Sequence, residues 1–452
     1  MPNKCPDQSK SIKLTVTPAA FWTDEIDIVA SGFQPGERIR IVSSVIDDLA
    51  TEWTAHGDYV ADLTGSIDVS TAPSVGGSFL GVDPAGLFWS LRPNGSDDRS
   101  FQIQANAKPH QLGQPACDPI GPVQVRLRAE AESGMVAETS VTLNRLADGI
   151  DVVQVNDGRL RGVCYRWRDR SRARGAIMSL TGSGGGIETA YAPLLASLGY
   201  DVFSLAYFAY QDLPIAINNI PIEYFEEGFS WMKRELAPTK IAVQGTSRGG
   251  ELTLVLAAYL PEFVKCAIPI VPMYASGQGW DSTGNSSGPI ASWTFRGEEI
   301  PYAQYADSMD IEEMQRLSAD APNGLELTPT ARRDFDTDET RENAAIPIEN
   351  ADGPILLISG LEDAMWPSAW GSDVVINRLR AKGFKHSYQH LALRETGHWI
   401  ALPNTVTTFA PAVYHTLMHV FLACGGTPQG AATSSRIMWT AMRDHYRAAF
   451  GH

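Results

Sequence analysis

The chain has 452 residues, more than one compact core normally holds, so at least one domain boundary is expected. Hydrophobic residues make up 44% of it and charged residues 19%, a balance typical of a folded globular protein and not of a disordered or fibrous one. The formal net charge of −16 argues against a general nucleic-acid-binding protein, because such proteins need a basic surface to displace counterions from phosphates.

Cysteine spacing and apolar runs indicate the compartment and the absence of some kinds of site. The five cysteines are scattered without CxxC spacing, so neither a disulfide framework nor a zinc site is predicted. The N-terminal sequence MPNKCPDQSK has no apolar core of signal-peptide length, and no run of about 18 uncharged apolar residues follows it. We therefore expect a soluble cytoplasmic protein with reduced thiols, no metal, no cofactor, and no nucleic-acid or membrane partner.

Short runs with alternating polarity fill the chain from about residue 12 to residue 145. Typical examples are IKLTVTP, ERIRIVSSVI, VQVRLRAE and ETSVTLNRL, and turn residues such as the PG of FQPGE separate them. A period of two with turns at this spacing predicts an antiparallel β-sandwich of the immunoglobulin-like kind. We place this all-β domain at residues 1–148.

A basic cluster follows the predicted boundary, and two interpretations of it are open. One is a site for a phosphorylated substrate, because guanidinium groups bind phosphate well. The other is a solvated hairpin, with GRLRGVCYRW as one strand, DRSRAR as its turn and GAIMSL as the next strand, and the pattern favours this second interpretation. The cluster consists of Arg159, Arg161, Arg166, Arg168, Arg170, Arg172 and Arg174.

From residue 149 to residue 452 apolar strand runs alternate with stretches of helical length. The runs AIMSL, YDVFSLAY, KIAVQG, CAIPIVP and PILLISG are free of charge, as strands buried on both faces are. This alternation predicts a mostly parallel, doubly wound α/β sheet. The segment 275–347 breaks it with Gly/Ser-rich and charged sequence, which indicates an insertion. Either a lid over the active-site end of the sheet or a surface excursion fits that segment.

The sequence GTSRG lies where the KIAVQG strand passes into the helical stretch RGGELTLVLAAYL. A strand, a sharp turn and a helix in this order form the nucleophile elbow of the α/β-hydrolase fold, with Ser247 as the nucleophile. Gly245 and Gly249 have no Cβ, so the chain can turn tightly there and hold Ser247 in a strained conformation. We therefore predict a hydrolase catalytic domain that acts through Ser247.

A serine hydroxyl needs a histidine to accept its proton and a carboxylate to orient that histidine. In this fold the acid precedes the base and follows a C-terminal strand. The sequence PILLISGLEDAMWPS places Asp363 there, with Glu362 as its competitor, and RETGHW supplies His398 in a glycine-flanked loop. We predict a triad of Ser247, Asp363 and His398.

The other histidines of this region are predicted to have structural roles. His386 and His390 lie in the strand FKHSYQHLAL, where surface or strand packing is expected. His415 and His419 are four residues apart in AVYHTLMHVFLA, which is interpreted as a helix. A shared metal is conceivable at that spacing, but no carboxylate accompanies the pair, so a role on the helix face is favoured.

The oxyanion that forms on the attacked carbonyl needs two N–H donors. The first is the backbone N–H of Arg248, directly after the nucleophile and at a helix N-terminus. The second comes from the glycine-rich loop SLTGSGGG, where Ser183 is the choice and Gly184 the rival. A phosphate-binding role for this loop does not fit, because neither GxxxxGK[ST] nor GxGxxG is present.

With these residues in hand, the chain resembles the acyl-CoA thioesterase and bile acid-CoA:amino acid N-acyltransferase family over nearly its whole length. The resemblance is carried by collinear stretches: SGFQPGERIRI, GSIDVSTAPSVGGSFLGVDPAGLFWSLRP, LTGSGGGIETAYAPLLASLGYDVFSLAYFAYQDLP, IPIEYFEEGFSWM, GTSRGGELTL, GLEDAMWPS and ETGHW. It implies an N-terminal β-sandwich before an α/β-hydrolase domain, and the family triad maps onto Ser247, Asp363 and His398.

The resemblance also implies an acyl thioester as substrate and an acyl-Ser247 intermediate. Members that transfer acyl groups to amino acids carry cysteine as nucleophile and thioesterases typically carry serine, so hydrolysis is favoured. Transfer to an amine or amino acid, or hydrolysis of an ester or amide of a specialised metabolite, stays open as the alternative. For polyanionic coenzyme A, the sequence offers Arg248 and the 159–174 cluster as candidate contacts.

Overall fold

The computed structural model describes residues 12–47, 50–94, 120–280, 289–305 and 311–451. They form two compact units that separate between Arg145 and Leu146. Residues 403–408, far along the chain, group with the first unit. Hydrogen bonds account for this: the side-chain amide of Asn404 donates to the carbonyl of Trp22 at 2.8 Å. No sequence pattern predicted this return to the first unit.

The first unit is rich in strands, as predicted. In the described part of this unit, seven strands form a sheet in the order β2-β10-β9-β4-β5-β7, with β8 paired to β5, and three form another in the order β1-β3-β6. The pairing of β2 with β10 is parallel and departs from the antiparallel expectation. Its elements are β1 (Lys13–Val16), β2 (Ala19–Phe21), β3 (Ile28–Ser31), β4 (Arg38–Ile46), β5 (Glu52–Val60), β6 (Ser66–Asp68), β7 (Gly76–Gly77), α1 (Gly86–Trp89), β8 (Arg92–Pro93), β9 (Val123–Ala131) and β10 (Val136–Asn144).

The second unit alternates strands and helices. Its strands are β11 (Ile150–Asp157), β12 (Leu160–Trp167), β13 (Ala176–Leu180), β14 (Asp201–Ala206), β15 (Ile220–Pro221), β16 (Ile241–Thr246), β17 (Val264–Ile270), β18 (Ser276–Gly277), β19 (Trp293–Phe295), β20 (Glu298–Glu299), β21 (Tyr302–Ala303), β22 (Ile355–Gly360), β23 (Tyr388–Leu393), β24 (Ala412–His415) and β25 (Val420–Ala423).

The second unit also contains seven α-helices within its described residues. They are α2 (Tyr191–Ser197), α3 (Glu223–Leu236), α4 (Arg248–Tyr259), α5 (Ile311–Ala319), α6 (Thr328–Phe335), α7 (Ser368–Ala381) and α8 (Pro428–Phe450). Crossing a membrane takes length together with an apolar stretch, and the described helices do not combine the two.

Among the described residues, eight strands form the central sheet, in the order β11-β12-β14-β13-β16-β17-β22-β23. The six strands from β14 to β23 run parallel, and β11 and β12 are antiparallel at one edge. Every residue of β13, β14 and β22 is buried, because helices cover both faces of the sheet. The prediction of a mostly parallel, doubly wound sheet is confirmed. Its parallel strands end at one edge, where the functional loops of such sheets lie.

The predicted hairpin across the basic cluster is wrong. Strand β14 lies between β12 and β13, and the other neighbour of β12 is β11, which begins directly after the predicted domain boundary at residue 148. The uncharged strand β13 pairs on both sides with parallel neighbours, β14 and β16. Several arginines of the cluster are already paired with carboxylates, as Arg159 with Glu227, Arg161 with Asp212, Arg168 with Asp151, and Arg170 with Asp201.

The predicted helix over AVYHTLMHVFLA is also wrong, because these residues form the antiparallel hairpin β24–β25. Its turn contains His419 with a φ of 54°, a left-handed conformation that a helix does not contain. The valine, tyrosine and phenylalanine residues of the two strands suit a pleated surface. His415 consequently ends a strand and does not lie on a helix face.

Candidate active site

Ser247 lies at the turn between β16 and α4 in a strained conformation. Its φ of 60° and ψ of −120° fall outside the regions that side-chain-bearing residues favour. Its N–H donates to the carbonyl of Ile270 at 2.8 Å, and its own carbonyl accepts the N–H of Glu251 at 2.9 Å. The neighbouring strand β17 and the first turn of α4 therefore hold the strained residue in place.

The glycines on either side of Ser247 allow this turn because other backbone atoms occupy the space of a side chain. A Cβ on Gly245 would lie 2.3 Å from the carbonyl oxygen of Gly249. A Cβ on Gly249 would lie 2.2 Å from the carbonyl oxygen of Thr181, at the start of the glycine-rich loop. Both distances are shorter than a Cβ atom can approach a carbonyl oxygen, so both positions require glycine.

Asp363 and His398 are brought together by loops that follow β22 and β23. The Oδ2 atom of Asp363 lies 2.9 Å from Nδ1 of His398, and both side chains are more than nine-tenths buried. The same oxygen accepts the hydroxyl of Ser368 at 2.6 Å, and Oδ1 accepts the N–H groups of Met365 and Trp366. An ionised carboxylate only accepts hydrogen bonds, so the proton of His398 belongs on Nδ1 and Nε2 carries a lone pair.

The other ring nitrogen of His398 is not engaged. Nε2 is buried and has no hydrogen-bond partner within the described residues, so Ser247 and His398 are not hydrogen-bonded in this structure. The indole of Trp366 packs edge-on against the His398 ring, with centroids 5.8 Å apart. Glu362, the rival acid, is exposed, and Asp363 is the residue that faces the histidine.

A cavity of about 730 Å³, its open mouth included, has Ser247 in its wall. Half of its described lining residues come from the segment 275–347, which therefore borders the candidate nucleophile. The lid interpretation of that segment stays a prediction. The apolar side chains in the described part of the wall are Trp280, Met314, Leu327, Ala331, Phe335, Met365, Trp366, Met418 and Leu422, with Tyr305 beside them. Burial raises the pKa of the Tyr305 phenol to about 12, so this hydroxyl stays neutral.

The side chain of Arg248 is not available to a polyanionic ligand. It is 3% exposed and donates to the buried carboxylate of Glu251 at 2.7 Å, to the carbonyl of Gly277 and to the hydroxyl of Ser292. Glu251 in turn accepts the indole N–H of Trp293 at 2.9 Å. This buried network ties the start of the 275–347 segment to the helix that follows the nucleophile. The expectation that Arg248 contacts coenzyme A is therefore wrong for its side chain.

The two predicted oxyanion donors border the same cavity. Ser183 and Arg248 both line it, and their backbone N–H groups have no hydrogen-bond partner within the described residues. The loop of Ser183 contacts the elbow, because a Cβ on Gly182 would lie 3.1 Å from the Cβ of Ser247. Two N–H groups beside a serine hydroxyl are what an oxyanion requires.

His415 borders the candidate site, and nothing in the sequence indicated this. Its Nε2 lies 3.0 Å from the hydroxyl of Ser183, its Nδ1 accepts the N–H of Met418 at 3.2 Å, and it lines the cavity with Ser247. Burial lowers the pKa of His415 to about 4, so the imidazole is neutral near pH 7. A residue 168 positions from Ser247 along the chain has no local signal that places it there.

A mostly parallel sheet of this strand order, with a strained serine between strand and helix, defines an α/β-hydrolase. Residues 220–451 match the family described as BAAT / Acyl-CoA thioester hydrolase C terminal, and residues 23–157 match its N-terminal region. The chain belongs to this family of acyl-CoA thioester hydrolases and acyltransferases, as the resemblance predicted.

Individual relatives cover nearly the whole chain. It is 28% identical to mouse acyl-coenzyme A thioesterase 6, with 96% of each chain covered. It is 27% identical to mouse peroxisomal succinyl-coenzyme A thioesterase, with 95% of this chain and 94% of the relative covered. Among solved structures, it is similar to the α/β hydrolase MGS-M1 from a Medee basin deep-sea metagenome library, at a TM-score of 0.40 and 13% identity, covering 68% of this chain and 100% of the other.

Proposed function

We propose that the protein is a serine acyl hydrolase that cleaves acyl thioesters of the acyl-CoA type, with Ser247, His398 and Asp363 as its catalytic triad. The observation that carries the proposal is the contact between Asp363 and His398, which leaves an unprotonated Nε2 in the domain whose elbow presents Ser247. Membership of the family and relatives named acyl-coenzyme A thioesterases support the choice of substrate.

In this mechanism the hydroxyl of Ser247 attacks the thioester carbonyl while Nε2 of His398 accepts its proton. Negative charge develops on the carbonyl oxygen, and the N–H groups of Arg248 and Ser183 stabilise it. The C–S bond then breaks, the thiolate takes the proton from His398, and an acyl-Ser247 ester remains. Water attacks this ester with His398 again as base, which releases the acid and restores the serine.

The role of Asp363 is to hold His398 in the productive tautomer and to stabilise its protonated form. Three further hydrogen bonds to its two oxygens fix the carboxylate, from Ser368 and from the N–H groups of Met365 and Trp366. Because these donors come from the turn after β22 and from the first residue of α7, the carboxylate keeps its position without help from the substrate.

The cavity beside Ser247 favours an apolar acyl group. Its wall consists mainly of aromatic, leucine and methionine side chains, which stabilise hydrocarbon by removing it from water. Methionine side chains adapt to irregular shapes, and three of them line the cavity within its described part. We therefore expect turnover to increase with acyl length until the cavity is filled.

Hydrolysis is tested by incubating the protein with a panel of acyl-CoA thioesters and measuring thiol and acid release. Thiol release that disappears in Ser247→Ala is the expected result, and Ser434→Ala serves as the matched control because Ser434 is buried in the C-terminal helix and bonds to Thr396. Formation of an N-acyl product in preference to free acid when glycine or taurine is added would identify a transferase. Thiol release that persists in Ser247→Ala would reject the assigned nucleophile.

A further inference from the structure

The hydroxyl of Ser183 lies next to His415, and a backbone hydrogen bond indicates which tautomer this histidine adopts. The Nδ1 atom of His415 accepts the N–H of Met418 at 3.2 Å. A backbone N–H can only donate, so Nδ1 has no proton and the neutral imidazole carries its proton on Nε2. Nε2 lies 3.0 Å from the oxygen of Ser183, which must therefore accept this hydrogen bond.

This direction leaves the proton of the Ser183 hydroxyl for another acceptor. A hydroxyl has one proton to donate and two lone pairs to accept with, and His415 occupies one lone pair. Within the described part of the chain no oxygen or nitrogen accepts the Ser183 proton. Ser183, His415 and Ser247 all line one cavity, so a substrate bound in that cavity would supply the acceptor.

The loop that carries Ser183 lies against the nucleophile. The preceding residue, Gly182, contacts Ser247 so closely that an added Cβ would lie 3.7 Å from the serine Oγ. The phenol of Tyr207 donates to the carbonyl of Thr181 at 2.7 Å, which helps to hold the loop in this position. The hydroxyl is therefore carried by a loop that is fixed against the nucleophile.

We propose that the side-chain hydroxyl of Ser183 is a third oxyanion donor, in addition to the two backbone N–H groups, and that His415 is a positioning residue that orients it. This inference rests on the proposed function, since it takes Ser247 as the nucleophile. No bond to hydrogen breaks at Ser183: its O–H donates a hydrogen bond to the developing oxyanion throughout. His415 does not act as a base, because its Nε2 already carries a proton.

The Ser183→Ala variant tests the hydroxyl while keeping the backbone N–H at that position. A lost oxyanion donor lowers kcat with little change in KM, and we expect a fall of about 10²- to 10³-fold. Ser183→Thr retains a hydroxyl and should recover most of the rate. The loss in Ser183→Ala should be the same factor at every pH at which the wild type is active, because no titrating group is removed.

The role of His415 is tested by a double-mutant cycle. His415→Phe should lower kcat in the wild-type background but have no further effect in Ser183→Ala, because the histidine acts through that hydroxyl. His415→Gln, which keeps an N–H donor, guards against a folding defect in the phenylalanine variant, and thermal melting identifies such a defect. An equal loss from His415→Phe in both backgrounds would overturn the positioning role.

The rate of labelling by a fluorophosphonate separates this inference from the proposed function. Attack of Ser247 on phosphorus also develops negative charge on an oxygen in the oxyanion site, and no thioester is needed. If the wild type labels at Ser247 but cleaves no thioester, the proposed function fails, and slower labelling of Ser183→Ala still supports the third donor. Labelling and kcat of Ser183→Ala within about twofold of wild type would overturn the inference.

Discussion

Asp363 and His398 are 35 positions apart in the chain, and their side chains meet at 2.9 Å in a buried hydrogen bond. Replacing Asp363 by Asn puts an amide N–H against Nδ1, which moves the imidazole proton to Nε2 and removes the base. We expect kcat to fall by about 10³- to 10⁴-fold while the fold is retained. Steady-state kinetics and circular dichroism measure the two effects.

The matched control for this change is Glu362→Gln, which alters the exposed neighbour and should keep the wild-type rate. Comparable losses from both substitutions would mean that general electrostatics and not the contact with His398 governs the rate. A wild-type rate in Asp363→Asn would remove the aspartate from the mechanism altogether.

Gly249→Ala should weaken the protein because its new methyl group would lie 2.2 Å from the carbonyl oxygen of Thr181. Overpacking of this kind costs about 1 to 3 kcal/mol, which outweighs the gain in helix propensity. Urea denaturation measures the free energy of unfolding. Gly184→Ala is the stability control, since a Cβ there meets no atom within 4 Å. Equal stability of the two variants would contradict the close contact between elbow and loop.

Glu251→Gln breaks a buried ion pair and leaves the guanidinium of Arg248 without its charge partner. Removing one member of such a pair costs about 3 to 5 kcal/mol, so a large fall in the free energy of unfolding is expected. The comparison is Glu227→Gln, which breaks the half-exposed pair with Arg159 and should cost about 1 kcal/mol or less. Similar effects of the two changes in a denaturant titration would show that burial does not strengthen the Arg248 pair.

Acid should destabilise the protein partly through His415. Burial lowers its pKa from 6.5 to about 4, so the unfolded chain takes up a proton in this range and the folded chain does not. This contribution to stability is complete above pH 6.5 and is lost as the pH falls toward 4, by about 3 kcal/mol in all. Chemical denaturation of wild type and His415→Phe between these pH values checks it: the wild type should lose more stability. Parallel curves would contradict the buried neutral state.

The residues proposed for the catalytic triad could be chosen from the sequence because each of them has a local signal. A charge-free strand, glycines that permit a turn and a leucine-rich helix identify Ser247 without knowledge of any distant contact. A charge-free strand followed by a carboxylate, and a later histidine between glycine and tryptophan, mark Asp363 and His398 in the same way. Alternating apolar strands and helices likewise determine a mostly parallel sheet.

Strand pairing and partner choice could not be predicted from those patterns. The basic cluster has the alternation of a strand, but nothing in it shows that β14 separates β12 from β13. The short apolar run AVYHTLMHVFLA fits both a helix and two strands, and in the folded protein it forms two strands. The side chain of Arg248 has the same charge whether it is exposed or paired with Glu251, so its burial could not be predicted from the sequence.

The sequence by itself determined which residues carry reactive groups, in what order, and on what kind of element, because propensity and hydrophobic period act over a few residues. Only the tertiary structure decided that His415 lies at hydrogen-bonding distance from Ser183, that the 275–347 segment borders the cavity, and that Asp363 meets His398 at the same kind of distance. These relationships depend on packing between residues far apart in the chain, where burial and hydrogen-bond geometry select one arrangement among many that the local patterns permit.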